Sequence, residues 1–416
     1  MNNIIYYGII LIVIGGHILN VIIELINVNY SKKTSLDSIV NDVYDADNYS
    51  KQQSYESEKL RLSLIESTFS TVVVAIAIIF RYFGVLSDFI AQFIDSSILQ
   101  SLIFFGCLWF FSQLISTPFD YYNSFVIEEK YGFNKSTRKL FFADLLKSSL
   151  ITIILGGIIL TLVIWLFVSY TSLFWLPVLL FIIILSLFST LLYTSLILPL
   201  FNKKSPLPEG ELKERLEKLA FKAGFSAKNI YVLDSSKRST KGNAFFTGWG
   251  RNKRIYLYDT LIDKLSPVEI ESVLAHEIGH YKKKHIWINF TISLTVTGLF
   301  LFVFNKISLG DVFTPVMGVN STELPNFHLN MLGFALIFGP VQSLADLFTN
   351  YLSRKMEYAA DKFAKDYNLA ESLISALKRL AAQNYSNLMP HPIYVTIHYS
   401  HPSLAQRIKA LLSNNE

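Results

Sequence analysis

Two histidines four residues apart with a glutamate between them, His276-Glu277-Ile278-Gly279-His280, are the residues of this chain best spaced to do chemistry. On a helix, positions i and i+4 lie on one face about a turn apart, so both imidazoles reach a single cation. A Zn²⁺ held that way takes a third protein ligand and keeps a fourth position for water. Glu277 stands beside that position, where it can accept the water's proton. The third ligand is expected in Ser353-Arg354-Lys355-Met356-Glu357-Tyr358-Ala359-Ala360-Asp361. There Glu357 and Asp361 share a helix face, the first suited to ligate metal and the second to orient a ligand histidine. Ala359 and Ala360 would let this helix approach the histidine helix closely. Among the other histidines, His17 and His328 read as packing or interface residues. His285 is expected only to favour the negative end of its helix.

The elements that must carry these groups are partly signed. Ser266-Pro267-Val268-Glu269 is an N-cap, a proline at the first helical position and a capping-box glutamate, which start the helix of the two histidines. The rest of the chain is strongly apolar: 51% hydrophobic, 14% aromatic and 17% charged over 416 residues, where a soluble protein carries roughly 25% charge. No charge interrupts Ser148 to Asn202, a run long enough for two spans of roughly 20 residues each with a hairpin near 169–172. Seven spans are expected, near 4–23, 63–83, 98–119, 148–168, 173–200, 286–305 and 327–350. The first lacks a basic leader and a small-residue cleavage site, so it reads as a retained span. Lysine and arginine concentrate in alternate loops, which puts the N-terminus outside and both the C-terminus and His276 on the cytoplasmic side. The net charge of +5 reflects that asymmetry, and no basic-aromatic cluster argues for nucleic acid. Cys107 is the single cysteine, so any metal is held by histidine and carboxylate.

The chain divides near Lys203-Lys204-Ser205-Pro206-Leu207-Pro208 into a membrane region, 1–200, with five spans, and a peptidase-like region, 201–416. After that break, Glu209 to Ala223 reads as an amphipathic helix burying Leu212, Leu216, Leu219 and Ala220. Strands are expected at Asn229–Leu233, Gly242–Gly248 and Arg254–Tyr258, the last two joined by a turn. A free edge of such a sheet can pair with an extended peptide and lay it across the metal. An ordinary sheet that carries no peptide is the equal alternative.

Taken together, the motifs resemble those of the type I CAAX prenyl proteases, integral-membrane zinc metalloendopeptidases. Phe119-Asp120 with Phe125-Val126-Ile127-Glu128-Glu129-Lys130-Tyr131-Gly132-Phe133-Asn134 resembles that family's long-loop signature. Asn243-Ala244-Phe245-Phe246-Thr247-Gly248 resembles its asparagine-bearing strand. Ser400-His401-Pro402 followed by Arg407 resembles its closing motif. The resemblance implies a mainly α, polytopic fold with about seven helices around a polar chamber and a zinc-peptidase domain containing a small β-sheet. It implies one Zn²⁺ per chain held by His276, His280 and Glu357, with Glu277 as general base. Asp361 is a support or a proton donor, His401 a stabiliser of the oxyanion, and Asn243 and Arg407 bind substrate.

The expected activity is zinc-dependent hydrolysis of peptide bonds, as in removal of the C-terminal tripeptide from prenylated proteins. The partners are a peptide or protein substrate, prenylated on that reading, and the lipid bilayer. The Ile-, Asn- and Lys-rich composition points to a bacterial inner membrane, with the endoplasmic reticulum as the setting in a eukaryote. In a bacterium the alternative is a membrane-protein quality-control endopeptidase without prenyl specificity. A silent membrane binding protein would not need the intact set of His276, Glu277, His280, Glu357 and Asp361. A transporter would carry more ionisable residues within its spans.

Overall fold

Apolar runs that cannot hydrogen-bond to lipid must satisfy their backbones internally, and in this chain they do so as long helices. The computed structural model describes residues 2–170, 172–224, 230–247, 254–320 and 326–413, with the backbone alone at 190, 191 and 246. The membrane region contains α1 (Asn2–Lys33), α2 (Ala46–Ile79), α3 (Tyr82–Ala91), α4 (Ser97–Tyr122), α5 (Arg138–Ile151), α6 (Gly157–Ser169), α7 (Trp175–Leu192) and α8 (Leu198–Phe201). Turns of π-helix continue α4 through Asn123–Glu128, link α5 to α6 and link α7 to α8. Among the described residues, six helices are long and apolar enough to cross a membrane, with Arg138–Ser169 counted as one, and a seventh span forms if Trp175–Ser189 and Tyr193–Phe201, bent by 46°, are taken together.

Two boundaries differ from the sequence reading. The span expected over 63–83 stops at Ile79, because Arg81 is left-handed (φ 56°) and α3 starts as a separate helix. The Arg81 guanidinium lies over the Tyr6 ring and its stem packs on Gly318, where a Cβ would come within 2.7 Å of Arg81 Cδ. The span expected over 173–200 bends between Ser189 and Tyr193, just ahead of the π-turn at Tyr193–Ile197.

Beyond α8 the chain forms β1 (Lys204–Pro206), α9 (Glu211–Lys222), β2 (Ile230–Leu233), β3 (Ala244–Thr247), β4 (Arg254–Tyr258) and α10 (Asp259–Ile262). The sheet order is β1-β2-β4-β3, with β2 and β4 parallel and the other pairs antiparallel. Three strands fall where the alternation of the sequence predicts them. β1 was expected only as a break; it pairs with β2 at the sheet's edge, the position in which Pro206 is tolerated. Thr171, Asn229 and Gly248, and with them the turn expected before β4, lie outside the described residues.

The chain then runs through α11 (Pro267–Lys282), α12 (His285–Ser308), α13 (Phe313–Val316), α14 (Phe327–Asp366), α15 (Ala370–Gln383), α16 (Pro392–His398) and α17 (Leu404–Leu412). The 40 residues of α14 make it about 60 Å long, twice the ~30 Å hydrocarbon thickness. Its C-terminal part therefore projects past the apolar layer and carries Glu357 and Asp361. One apolar core joins the sheet to that projection: Leu216 and Ala220 of α9, Leu257 of β4, Leu274 and Ile278 of α11, and Ala364 of α14 are all buried together.

Candidate metal centre

Helix α11 begins as its sequence dictates. The Ser266 backbone N–H donates to Glu269 Oε2 at 2.8 Å, closing the capping box. Glu269 Oε1 accepts from Ser375 Oγ at 2.6 Å and pairs with Arg379 Nε at 3.0 Å, which ties α11 to α15. Burial would push the Glu269 pKa up, but the bonds from Ser375 and Ser266 outweigh it and hold the carboxyl below its usual range. One turn before its end, α11 crosses α14 at Gly279. A Cβ there would lie 2.9 Å from Phe363 Cβ and 3.0 Å from Ala360 Cα. Glycine on one helix and alanine on the other thus allow the close approach on which the site depends.

That approach brings His276, His280 and Glu357 together. One ligand atom from each lies within 4.8 Å of the others. Glu357 Oε1 is 3.1 Å from His280 Nε2, Glu357 Oε2 is 3.4 Å from His276 Nε2, and the two Nε2 atoms are 3.1 Å apart. His276 Nδ1 donates to Asp361 Oδ1 at 2.9 Å. Asp361 in turn receives Arg407 as a fork, Nη2 to Oδ1 at 2.6 Å and Nε to Oδ2 at 2.9 Å. Burial alone would drive the proton off His276, yet Asp361 and Glu357 hold its pKa up at about 9.

Matches to known proteins follow the same division of the chain. A family model described as CAAX prenyl protease N-terminal, five membrane helices, matches residues 8–203. A model described as Peptidase family M48 matches residues 206–415. The chain belongs to peptidase family M48. This M48 metallopeptidase is 33% identical to CAAX prenyl protease 1 of Saccharomyces cerevisiae, over 91% of this chain and 89% of that one. It is 30% identical to the human CAAX prenyl protease 1 homolog, over 92% and 90% of the two chains. Its fold matches the crystal structure of S. mikatae Ste24p with a TM-score of 0.92 and 32% identity, covering 98% of this chain and 99% of the other.

The family implies a metal, and the donor set of this M48 peptidase fits one. Glu357 is 4% exposed, and among the described residues its Oε2 accepts no hydrogen bond; an unsatisfied buried carboxylate oxygen is costly unless a cation meets it. Two imidazole nitrogens and one carboxylate leave a fourth tetrahedral position open, the ligand count of a hydrolytic site.

The remaining expected residues fall at different distances from this centre. Glu277 is half-buried on α11 between the two histidines, and its charge acts on the Arg407 guanidinium. His401 is largely exposed, with Nε2 3.4 Å from Glu357 Oε1 and Nδ1 2.9 Å from Ser400 Oγ. Arg407 has two of its donor nitrogens committed to Asp361, and its Nη1 stands 3.7 Å from Glu357 Oε2. Asn243 precedes β3 and lines a separate cavity with Lys241 and Tyr258; its Oδ1 accepts from the Ala244 N–H at 2.8 Å.

Two further residues matter that the sequence reading did not assign to the site. His285 is buried, with Nδ1 2.9 Å from His280 Nδ1. Lys284 takes the left-handed conformation (φ 59°) between α11 and α12, and this reversal turns His285 back onto the ligand helix. For His280 Nε2 to face a metal unprotonated, its Nδ1 must carry the proton and His285 must accept it. Arg354 donates to the Tyr399 carbonyl at 2.6 Å and the Val395 carbonyl at 3.1 Å, so α14 itself fixes the turn that carries Ser400 and His401. His17 Nε2 lies 3.0 Å from Thr68 Oγ1, and the buried His328 ring bonds Ser87 and Ser101 at 2.9 Å each.

Proposed function

We propose that this peptidase uses one Zn²⁺ held by His276, His280 and Glu357 to hydrolyse peptides next to a prenylated cysteine near their C-terminus. The substrate class is the one named for its relatives. The observation that carries the reading is the two-histidine, one-glutamate cluster in a chain whose membrane half matches the CAAX prenyl protease N-terminal model. When bound, the ion would polarise the scissile carbonyl and acidify water.

The chain's own groups do the rest. Glu277 takes the proton of the attacking water and returns it to the leaving amine nitrogen. His401, anchored through Ser400 and beside Glu357, donates to the developing oxyanion. Asp361 acts through His276, holding its Nδ1 proton and so turning Nε2 toward the metal. Arg407 keeps Asp361 ionised and in place, and reaches substrate only through Nη1. The extended peptide lies along β3, the last strand in the sheet order, with Asn243 at its start.

The alternation of basic loops supports a metal site on the cytoplasmic side of a multi-pass protein. If the host membrane is a bacterial inner membrane, as the Ile-, Asn- and Lys-rich composition supports, the same machinery would act on unprenylated peptides. The test is mass spectrometry of products from prenylated and unprenylated copies of one peptide, with Glu277→Gln as the blank. Cleavage directly after the prenylated cysteine, with the bare peptide spared, supports prenyl specificity. Equal cutting of both would replace it with a general membrane endopeptidase.

A further inference from the structure

Hydrolysis directly after a prenylated cysteine puts the isoprenoid on the very residue that adjoins the scissile bond. Its binding site must therefore begin within one side chain's reach of the metal cluster and lead away into apolar surroundings. The cleft between α12 and α14 meets both demands. It encloses about 570 Å³, within the roughly 300–1,000 Å³ usual for small-molecule sites. Ser400 is on its wall, the residue bonded to His401, which stands beside Glu357.

The two helices run antiparallel, α12 leading away from the metal cluster and α14 returning to it, so the lining changes along the cleft. Asn289, Ser293 and Ser353 line the metal end; Phe300, Phe304 and Phe334 line the far end. The last two rings are 5.2 Å apart, edge to face. From Asn289 to Phe304 the cleft follows α12 for about 22 Å, ample for an extended farnesyl chain. Two other cavities are walled in part by charged side chains, one by Glu24, Glu56 and Lys59, the other by Arg238 and Lys241. Neither offers a hydrocarbon wall of comparable extent.

We propose that the α12–α14 cleft receives the isoprenoid chain of the substrate, thioether at the Ser353–Ser400 end and terminal isoprene units among Phe300, Phe304 and Phe334. This rests on the prenyl reading given above. On this arrangement the cleft is a ruler: its depth sets which chain lengths are cut. The test compares kcat/KM for one peptide carrying S-geranyl, S-farnesyl or S-geranylgeranyl cysteine, in wild-type protein and in Val296→Trp, which fills the middle of the cleft. Metal content and elution in detergent are measured alongside.

The expected result is a farnesyl-to-geranyl ratio lowered on the order of tenfold or more, since several buried methylenes lose their place. Phe300→Ala, which deepens the far end, should raise the geranylgeranyl-to-farnesyl ratio and serves if the tryptophan variant fails to fold. Wild-type protein that cuts prenylated and bare peptides alike would sink the prenyl reading, and this proposal with it. Wild-type protein that discriminates, with both variants keeping its chain-length ratios, would leave the prenyl reading standing and overturn the cleft.

Discussion

At the scale of the residue, the two imidazoles are held by different partners. His276 is backed by a carboxylate that Arg407 locks in a fork, and His280 is backed by a second imidazole, His285. Partners behind metal ligands typically change affinity 10–100-fold when removed, by freeing the ring to take the wrong tautomer or angle. His285→Leu is therefore expected to weaken zinc roughly 10–100-fold, read by competition with a chelator. Wild-type affinity in that variant would reduce the His280–His285 contact to packing. Glu277 belongs to a different class, because the role proposed for it is to move a proton without holding metal. Glu277→Gln should keep stoichiometric zinc and lose roughly 10²–10⁴-fold in turnover. Glu357→Ala should instead lose the metal, so elemental analysis of the pair separates base from ligand.

At the scale of the element, the site is a crossing of two helices. The ligand atoms meet because Gly279 lets α11 approach Ala360 and Phe363 of α14 more closely than any side chain would allow. Gly279→Ala sets two effects against each other. Alanine favours a helix interior by about 1 kcal/mol over glycine, while overpacking a tight contact costs about 1–3 kcal/mol. Against backbone and Cβ atoms at 3.0 Å and 2.9 Å, the steric term should win. The expected outcome is a lower melting temperature together with weaker zinc binding. A raised melting temperature with full zinc occupancy would mean that α14 yields without moving Glu357. The length of α14 matters in the same way, since one continuous helix carries an apolar run long enough to span a membrane, Glu357 of the candidate metal cluster, and Asp361, which pairs with His276.

At the scale of the whole molecule, the membrane half and the peptidase half meet through a charged joint. Glu128, at the end of the π-turn after α4, accepts from Lys241 Nζ at 2.9 Å and 3.1 Å and from Tyr55 Oη of α2. Lys241 also lies 4.5 Å over the Phe133 ring, and Asn134 pairs with Ser239 in an isolated bridge. Lys241 is only two residues before Asn243, so the joint sets where the candidate peptide-binding strand stands relative to the spans. Lys241→Met leaves the Glu128 carboxylate, 14% exposed, without its nearest cation. A loss of about 1–3 kcal/mol is expected, toward the lower end because Lys241 is one-third exposed. Thermal unfolding in detergent would show it. The same variant should retain zinc, because the joint touches none of the ligands; loss of both would mean that the two halves fold as one cooperative unit.

What the sequence by itself determined is what depends on local spacing. His276 and His280 share a face because they are four apart, α11 starts at Ser266 because its cap is written beside it, and uncharged runs become helices because lipid offers no other partner for their backbones. Glu357 was legible for the same reason, as one of a pair of carboxylates with helical spacing. Asp361 was legible in the same way as a partner for a histidine; only the tertiary structure decided that this histidine is His276, that Arg407 stands behind Asp361, and that His285 stands behind His280. His285 is near in sequence, but a left-handed Lys284 had to reverse the chain before its ring could reach His280. Arg407 lies 131 residues from His276, and no periodicity links them; it meets Asp361 because α17 packs on α14. Likewise β1 could not be read from three residues that become a strand only against β2. Contacts between elements remote in the chain come from how their faces pack, and a single sequence records those faces without recording which of them meet.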